Sequence, residues 1–503
     1  MGEKRLSLCM IVRDEASMLP GFLRSVEGLW DELIVVDTGS TDDTVTLLEE
    51  AGAQVRFRAW DDDFSAARNA SLEGATGEWI AFFDADEVLS EALCKQIREL
   101  VDAESSMLGA ATVVMENSLP GGHMHVAPLL RLFRNDPSIR FVHRIHEDIT
   151  GAVSAYLART KQGMTHLSGV VEHLGYVREV AAEKNKRERD VTLLERSLSE
   201  NPEDLYSHYK LMEQARYWRD TLLWSTSAKR AADVFARVPK ERLAALHFGG
   251  ELSVLLALGL HPKDPARALQ WLKGVESRIT PSAAFYYWRG YQCELLSQFA
   301  EALEDYQRAL GLPGTRNIQL ATVRPLMGLC RVALATGQLK EASEFIVEAL
   351  SYNVLDEEIA LAARALADVS LDDGDAEIVV ALMRPIAGDP PCGADGVTLA
   401  RALMLGGDIQ AARSVVEGMM HALPEAGIGL LMCDLCLGQD SNLSLDLSQE
   451  DADQAMKAWI SVVLRSKNIE ISRGFLQNAG AIMGVFPWIQ AYVFNFLGLD
   501  PPG

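Results

Sequence analysis

The stretch Glu78-Trp79-Ile80-Ala81-Phe82-Phe83-Asp84-Ala85-Asp86-Glu87 decides the fold of the first part of this 503-residue chain. Its apolar run, followed at once by acidic residues, predicts a buried strand with carboxylates at its carboxyl end. Such a turn is a poor choice for a core, because unpaired buried charges are costly. A divalent cation that also holds a pyrophosphate needs carboxylates of this kind. Short acidic turns are common, but the preceding strand and a helix expected directly after the turn favour the metal interpretation.

Further apolar runs in the first 120 residues alternate with helical patterns. They predict strands at 6–12, 32–36 and 54–58, and helices at 16–28, 42–51 and 64–72. Ser40 or Thr41 is the expected N-cap of the second helix. Strand and helix alternating at this spacing predict a parallel α/β sheet. Ligands of such sheets bind at the carboxyl ends of the strands, where Asp37 and Asp84 both stand.

From about Asn201 onward the strand pattern gives way to helical repeats. The clearest repeat covers residues 286–312. Its small residue Ala302 stands at a position that recurs along the chain, at Ala268, Ala342, Val379 and Ala412. This matches the tetratricopeptide pattern of ~34 residues, and a turn at 313–317 accounts for one longer step. The sequence therefore predicts an all-α domain of tetratricopeptide-like repeats.

The bulk composition limits the partners and the location. There are 47 Lys and Arg against 71 Asp and Glu, giving a formal net charge of -24, and this argues against binding nucleic acid or anionic membrane. The first apolar run is too short for a secretory signal. The apolar segment 475–499 is interpreted as buried helices rather than a membrane span. Seven scattered cysteines suit a reducing cytoplasm, and Cys433 with Cys436 is expected on adjacent turns of a helix rather than at zinc.

Two further residues carry alternatives that the pattern alone leaves open. Asp37, at a strand end, can accept hydrogen bonds from a base or ribose, and it can also cap the turn that follows; these two interpretations are compatible. Arg68 lies on the second turn of a helix that begins near Asp63. It can reach a nucleotide, or it can be a surface residue paired with one of the acidic residues at 61–63.

Several motifs together resemble the family 2 glycosyltransferases, in order and in spacing. They are Leu8 to Glu15, Val35 to Asp42, Asp63 to Asn69, Gly77 to Glu87, His146-Glu147, and His173-Leu174-Gly175-Tyr176. The resemblance is strongest to the subgroup in which this domain precedes tetratricopeptide repeats. It covers residues 5 to about 210 closely. Asp14 departs from the pattern, because many members have Asn before the Glu.

The resemblance implies a GT-A fold, which is the Rossmann-like fold of nucleotide-diphospho-sugar transferases. It implies a metal-dependent, inverting transfer from a nucleoside-diphosphate sugar, expected to be UDP-linked, with Mn or Mg as the cation. The residues implied to bind the nucleotide-sugar are Val12, Glu15, Asp37, Arg68, Asp84, Ala85 and His146. Asp86 and His173 are the implied metal ligands. Glu147 is the implied catalytic base, with a pairing to Arg144 as the alternative.

The domains are expected at 1–180 for the transferase, 181–240 for linking and first repeat helices, and 241–503 for the repeats with capping helices. The repeats are expected to recruit a protein or peptide acceptor, and a homodimer is one option. The alternatives are a non-catalytic adaptor with a degenerate sugar domain, or a transferase acting on polysaccharide or lipid-linked glycan. A nucleotidyltransferase is disfavoured, because Arg13 to Ala16 replaces the Gly-rich loop it needs.

Two groups of cations stand out in so acidic a chain, and some of them are candidates to offset the charge of the leaving group. A solvated helix face is the alternative for the second group. The two groups are Arg131, Arg134, Arg140 and Arg144, and Lys184, Lys186, Arg187 and Arg189.

Overall fold

The chain divides into two compact units. One comprises Met1–Ser297 with Gly311–Ala321, and the other comprises Gln298–Leu310 with Thr322–Gly503. This computed structural model describes residues 5–103, 107–118, 124–173, 180–312, 318–352, 356–419, 422–439, 447–483 and 485–497.

A sheet of eight strands is the centre of the first unit. The strands are β1 Leu6–Val12, β2 Glu32–Asp37, β3 Gln54–Phe57, β4 Trp79–Phe82, β5 Glu87–Leu89, β6 Leu108–Ser118, β7 Met124–Arg134 and β8 Gly163–His173. Their order is β3-β2-β1-β4-β7-β6-β8-β5. The four predicted strands are confirmed, and they pair in parallel. The complete sheet is mixed, since β7 runs antiparallel to β4 and β5 runs antiparallel to β8.

Five helices accompany these strands. They are α1 Leu19–Ser25, α2 Thr44–Glu50, α3 Phe64–Leu72, α4 Glu91–Asp102 and α5 Thr150–Thr160. The predicted helix at 64–72 is confirmed, and α1 and α2 are shorter than predicted. Ser40 and Thr41 were wrong as N-caps of α2, because their hydroxyl groups donate to Asp37 and Asp14 instead. The helix expected directly after Asp86 was also wrong, because β5 intervenes before α4 begins.

Strands β1 and β2 are largely apolar because both faces of the sheet are covered there, whereas β3, with Gln54 and Arg56, is mostly exposed. Side chains alternate between the faces of β1, so Leu8 and Met10 join one buried cluster and Cys9 joins another. The first cluster includes Phe22 of α1, and the second includes Phe141, which lies between β7 and β8 in the chain. The strand ends are therefore fixed from two sides, which positions the residues that follow them.

Helices make up the rest of the described chain, as the repeat pattern predicted. They are α6 Val180–Glu200, α7 Leu205–Tyr217, α8 Thr221–Arg237, α9 Lys240–Ala244, α10 Gly249–Leu260, α11 Pro265–Val275, α12 Ala283–Leu295, α13 Phe299–Leu310, α14 Val323–Ala335, α15 Leu339–Tyr352, α16 Glu357–Asp373, α17 Ala376–Ile386, α18 Gly393–Gly406, α19 Ile409–Met419, α20 Pro424–Leu437, α21 Gln449–Leu464, α22 Ile469–Asn478 and α23 Ile489–Phe496. Short 3-10 helices lie at Glu276–Arg278, Ile318–Ala321 and Ala479–Ile482.

The repeat register predicted from small residues is confirmed. The recurring position lies one turn into α11, α13, α15, α17 and α19 in succession. All five of its residues are fully buried, and they are Ala268, Ala302, Ala342, Val379 and Ala412. At the four alanines the small side chain lets a neighbouring helix approach closely, which is the property that repeats of this kind require. The turn expected at 313–317 lies outside the described residues.

The C-terminal interpretation is confirmed for the described residues. Phe475, Phe486, Ile489 and Val493 are buried, and no described helix is long and apolar enough to cross a membrane. Cys433 and Cys436 lie on α20 as expected. Burial raises the pKa of each thiol to about 12, so both remain protonated at neutral pH.

Candidate active site

The first part of the site is the end of β2. Val12 lies opposite Asp37 in the parallel register, and both residues end their strands. The Asp37 carboxylate is buried and accepts hydrogen bonds from the backbone of Gly39 and from the backbone and hydroxyl of Ser40. Asp37 thus organises its own turn, as the second of its two interpretations predicted. Glu15 contacts the start of α2, since its backbone N–H donates to Thr44 Oγ1 over 2.8 Å.

The second part is a three-residue contact centred on Arg68. This residue is 6% exposed, so the surface pairing with the acidic residues at 61–63 was wrong. Its Nη2 atom donates to Oδ1 of Asp84 over 2.7 Å, and its Nε atom donates to Oε1 of Glu147 over 2.8 Å. The alternative pairing of Glu147 with Arg144 was also wrong, because Arg144 binds Glu200. One buried cation therefore joins a residue after β4 to the candidate base.

The electrostatics of this contact are those of a paired buried charge. Burial alone would lower the pKa of Arg68, but attraction to Asp84 and Glu147 outweighs burial and raises it. Burial would likewise raise the pKa of Asp84, and the charges of Arg68 and Arg131 lower it instead. Arg68 also lies 5.5 Å from the centroid of the Phe82 ring. Arg68 and Asp84 are consequently both charged at neutral pH.

The third part is the pair of residues implied as metal ligands. Strands β5 and β8 align Glu87 with His173, and this register brings His173 to the turn after β4. Nε2 of His173 lies 3.3 Å from Oδ2 of Asp86. About a quarter of each side chain is exposed, so an ion can reach the pair. The remainder of the His-x-Gly-Tyr motif, Leu174 to Tyr176, lies outside the described residues.

One buried ion pair beside these residues was not predicted from the sequence. Glu87 and Arg131 form a close contact, and the second oxygen of Glu87 accepts the backbone N–H of Asp84 over 3.0 Å. Burial raises the pKa of Glu87 to about 7, against the attraction of Arg131. Ala85, which separates Asp84 from Asp86 in the sequence, is buried in the core cluster. A buried ion pair therefore supports the acidic turn, while the side chains of Asp84 and Asp86 are partly exposed.

The donor set suits a divalent cation that is shared with a ligand. A carboxylate and an imidazole match the preferences of Mn, and a carboxylate with phosphate oxygens matches Mg. Within the described residues, no group of three or more His, Cys, Asp or Glu side chains could enclose a metal by itself. Asp86 and His173 therefore fit a cation only if a diphosphate or water supplies the other ligands.

His146 takes a different direction from its neighbour. Its Nε2 atom lies 3.2 Å from Nε2 of Gln214 on α7, whereas Glu147 binds Arg68. Burial, with repulsion from Lys210, lowers the pKa of His146 to about 4. Its side chain is therefore neutral at pH 7. Its assignment to the nucleotide-sugar stays a prediction.

The cations of the first group make separate contacts with different parts of the sheet domain. Arg131 binds Glu87, Arg134 lies 4.3 Å from the Trp79 ring centroid, and Arg140 donates to the carbonyl of Ile139. In the second group, Arg187 binds Asp220 and Arg189 binds Asp190. The side chain of Lys184 lies outside the described residues. Most of these cations thus have structural partners.

The family comparison supplies the identity of the first domain. Residues 7–156 match the model of glycosyl transferase family 2. The N-terminal domain belongs to this family. Residues 7–156 include all the site residues predicted from the sequence except His173. Together with the mixed sheet, the match confirms the GT-A fold expected here, and repeat helices follow as expected.

Two relatives that match part of this chain are named as a repeat protein and as a glycosyltransferase. The chain is 40% identical over 209 residues to a TPR repeat-containing protein of Synechococcus elongatus, covering 41% of this chain and 51% of that protein. It is 28% identical to the prophage-derived glycosyltransferase SunS of Bacillus subtilis, covering 39% and 45%. The chain thus spans about half the length of the curated relatives it matches.

Among solved structures, S. aureus TarS 1-349 in complex with UDP-GlcNAc is similar at 16% identity, with 54% of this chain and 92% of that chain covered. The TM-score is 0.34, and a similarity of this size supports no statement about function.

Proposed function

We propose that the protein transfers a sugar from a nucleoside-diphosphate sugar, most simply a UDP-sugar, to an acceptor with inversion at the anomeric carbon. One observation carries the proposal. A buried arginine, Arg68, joins Asp84 at the carboxyl end of β4 to Glu147, and Asp86 on the same turn as Asp84 contacts His173 of β8. Open α/β sheets bind their ligands at this edge. The family 2 match agrees with this chemistry.

The donor is proposed to lie across the ends of β1, β2 and β4. Val12, Glu15 and the Asp37 turn border the first two strand ends, and the turn of Asp84 and Ala85 borders the third. In this arrangement the Asp84 carboxylate faces the ribose, and its hydrogen bond with Arg68 holds it in place. His146 belongs to the adjoining loop, and its carbonyl and ring contacts hold that loop in place.

Glu147 is the proposed base. As the acceptor oxygen or sulfur bonds to the anomeric carbon, the bond from that carbon to the diphosphate breaks with its electron pair. The Glu147 carboxylate takes the acceptor proton on the face opposite the diphosphate. Its side chain is 16% exposed, so it is largely shielded from water yet open to one side. Arg68 fixes one carboxylate oxygen and thereby orients the other.

Asp86 and His173 are proposed to hold Mn or Mg together with the diphosphate. When bound, such a cation supplies positive charge that stabilises the leaving diphosphate. Arg131 does not contribute directly, because it neutralises Glu87 beneath the turn. Replacing the side chain of Asp86 or His173 should therefore weaken metal binding while leaving the protein folded.

The acceptor is proposed to be a protein or peptide side chain. Helical repeats form surfaces suited to extended chains, and buried repeat positions recur through α11 to α19. We propose residues 241–503 as the recruiting domain. A non-catalytic adaptor with a degenerate sugar domain is the second candidate. A degenerate site would have no physical reason to keep Arg68 paired with both Asp84 and Glu147, as it is here.

A donor screen tests the proposal. Nucleoside diphosphates and their sugars are added with and without Mn or Mg, and the melting temperature and the release of free sugar are followed. The proposal predicts that one nucleotide raises the melting temperature only with metal, and that its sugar is slowly hydrolysed. No response to any nucleotide or metal would favour the adaptor.

A further inference from the structure

The loop that carries Glu147 has an unusual backbone. His143 and His146 have φ values of +72° and +53°, a left-handed conformation that residues other than glycine adopt rarely. Val142 and Asp148 close the loop with two reciprocal backbone hydrogen bonds of 3.0 Å. A loop with two such residues keeps one conformation only if its surroundings determine it.

The amino-terminal side of the loop is fixed by the sheet domain. Asn69 of α3 accepts the backbone N–H of Phe141 over 2.8 Å and donates to the carbonyl of Phe141 over 2.9 Å. The backbone N–H of Phe64 donates to the carbonyl of Arg144 over 2.8 Å. These contacts hold residues that precede His146 in the chain, whereas Glu147 directly follows His146.

Helix α7 fixes the segment next to Glu147. The Tyr206 hydroxyl donates to the carbonyl of His146 over 2.6 Å, and the Tyr206 ring stacks on His143 with centroids 3.7 Å apart. Tyr206 itself is buried in the helical core. One side chain of α7 thus contacts both left-handed residues of the loop.

Gln214, also on α7, determines the state of the His146 ring. The Trp218 indole can only donate, and its Nε1 binds Oε1 of Gln214 over 3.0 Å. The amide nitrogen of Gln214 therefore donates to His146, whose Nε2 must accept. This contact requires the neutral imidazole, so α7 holds the carbonyl and the ring of the residue that precedes the candidate base.

We infer that Tyr206 and Gln214 are positioning residues of the transferase, through which helix α7 places Glu147 toward the acceptor. The inference rests on the proposed function. It gives the first repeat-side helices a part in the reaction besides acceptor recruitment. Glu147 is thus placed from two sides, directly by Arg68 of the sheet domain and, through His146, by Tyr206 and Gln214 of α7.

The test compares Tyr206→Phe with Tyr209→Phe. Both tyrosines are buried on α7, and each donates a 2.6 Å hydrogen bond, but Tyr209 donates to Glu213 within the helix. Each variant loses one hydroxyl and keeps its ring. Tyr206→Phe should lower kcat by about fivefold to tenfold, leave the donor KM within about twofold, and speed amide exchange at 143–149. Tyr209→Phe should change none of the three.

Equal kcat values and equal exchange at 143–149 in the two variants would overturn the inference. If the wild-type protein turns over no donor, the proposed function fails. Amide exchange alone then tests whether Tyr206 holds the loop at 143–149 in place. Faster exchange only in Tyr206→Phe supports its positioning part, and equal exchange overturns it.

Discussion

Arg68 donates a hydrogen bond of 2.8 Å to Glu147, which lies 79 positions later in the sequence. The bond uses Oε1, and within the described part of the chain no group donates to Oε2 of Glu147. A carboxylate fixed at one oxygen presents the other in a defined direction. This is the geometry that a base needs when it must meet an acceptor on one face of a sugar.

The first prediction concerns the stability that Arg68 provides. Arg68→Met leaves Asp84 and Glu147 without their cation, and loss of one partner from a buried ion pair costs ~3–5 kcal/mol. Since Asp84 is 36% exposed, the expected loss in the free energy of unfolding is smaller, about 2–3 kcal/mol. Urea unfolding measures it.

Arg230→Met is the matched control, because Arg230 pairs with Glu195 on the surface of the same unit. It should cost no more than about 1 kcal/mol. Equal losses in the two variants would show that the Arg68 contacts do not stabilise the fold.

Strands β1, β2 and β4 were predictable because each is a short, largely apolar run with polar residues close to its carboxyl end. Strands β6, β7 and β8 were missed, although Leu167, Gly169 and Val171 of β8 alternate inward and give a period of two. The contacts of Arg68 with Glu147 and of His173 with Asp86 join residues far apart in the sequence. No local pattern specifies such contacts, and the second depends on the register of β5 with β8.

The second prediction concerns the metal. Asp86→Ala should lower metal-dependent donor turnover by more than about a hundredfold, since a catalytic cation supplies several kcal/mol. It should also weaken Mn binding in the presence of the nucleoside diphosphate, which electron paramagnetic resonance measures directly. Asp61→Ala is the control, because Asp61 lies on the surface and pairs with Arg58. Unchanged turnover and Mn binding in Asp86→Ala would remove Asp86 from the metal site.

The third prediction concerns the pH dependence of stability. The pKa of His146 is about 4 in the folded chain, against ~6.5 for an unperturbed histidine. Between these values the unfolded chain binds more protons, so the free energy of unfolding falls as the pH falls. The contribution of His146 reaches at most about 1.4 kcal/mol per pH unit.

His146→Asn removes this proton site with a residue that tolerates the left-handed backbone. Its free energy of unfolding should therefore depend less on pH between pH 6.5 and 4 than that of the wild type. Chemical denaturation at a series of pH values measures both. The same dependence in both proteins would contradict a buried, neutral His146.

The fourth prediction concerns packing of the repeats. A Cβ atom on Gly328 would lie 2.5 Å from Cζ of Tyr306, so the ring occupies the space beside the glycine. Gly328→Ala should cost about 1–3 kcal/mol, because the fully buried Tyr306 must shift. Gly418→Ala, at a helical glycine with nothing described within 4 Å, should stabilise the chain by about 0.5–1 kcal/mol. Thermal unfolding separates the two, and equal effects would contradict the repeat packing.

The central claim is that the family 2 domain transfers sugar with inversion and that Glu147 is the base. The direct measurement follows the anomeric proton by NMR while wild-type protein and Glu147→Gln turn over an α-linked nucleoside-diphosphate sugar with Mn. The account predicts that the wild type releases the β-anomer first, and that Glu147→Gln binds the donor but turns it over at least about a hundredfold more slowly. Release of the α-anomer first, or full turnover by Glu147→Gln, would contradict it.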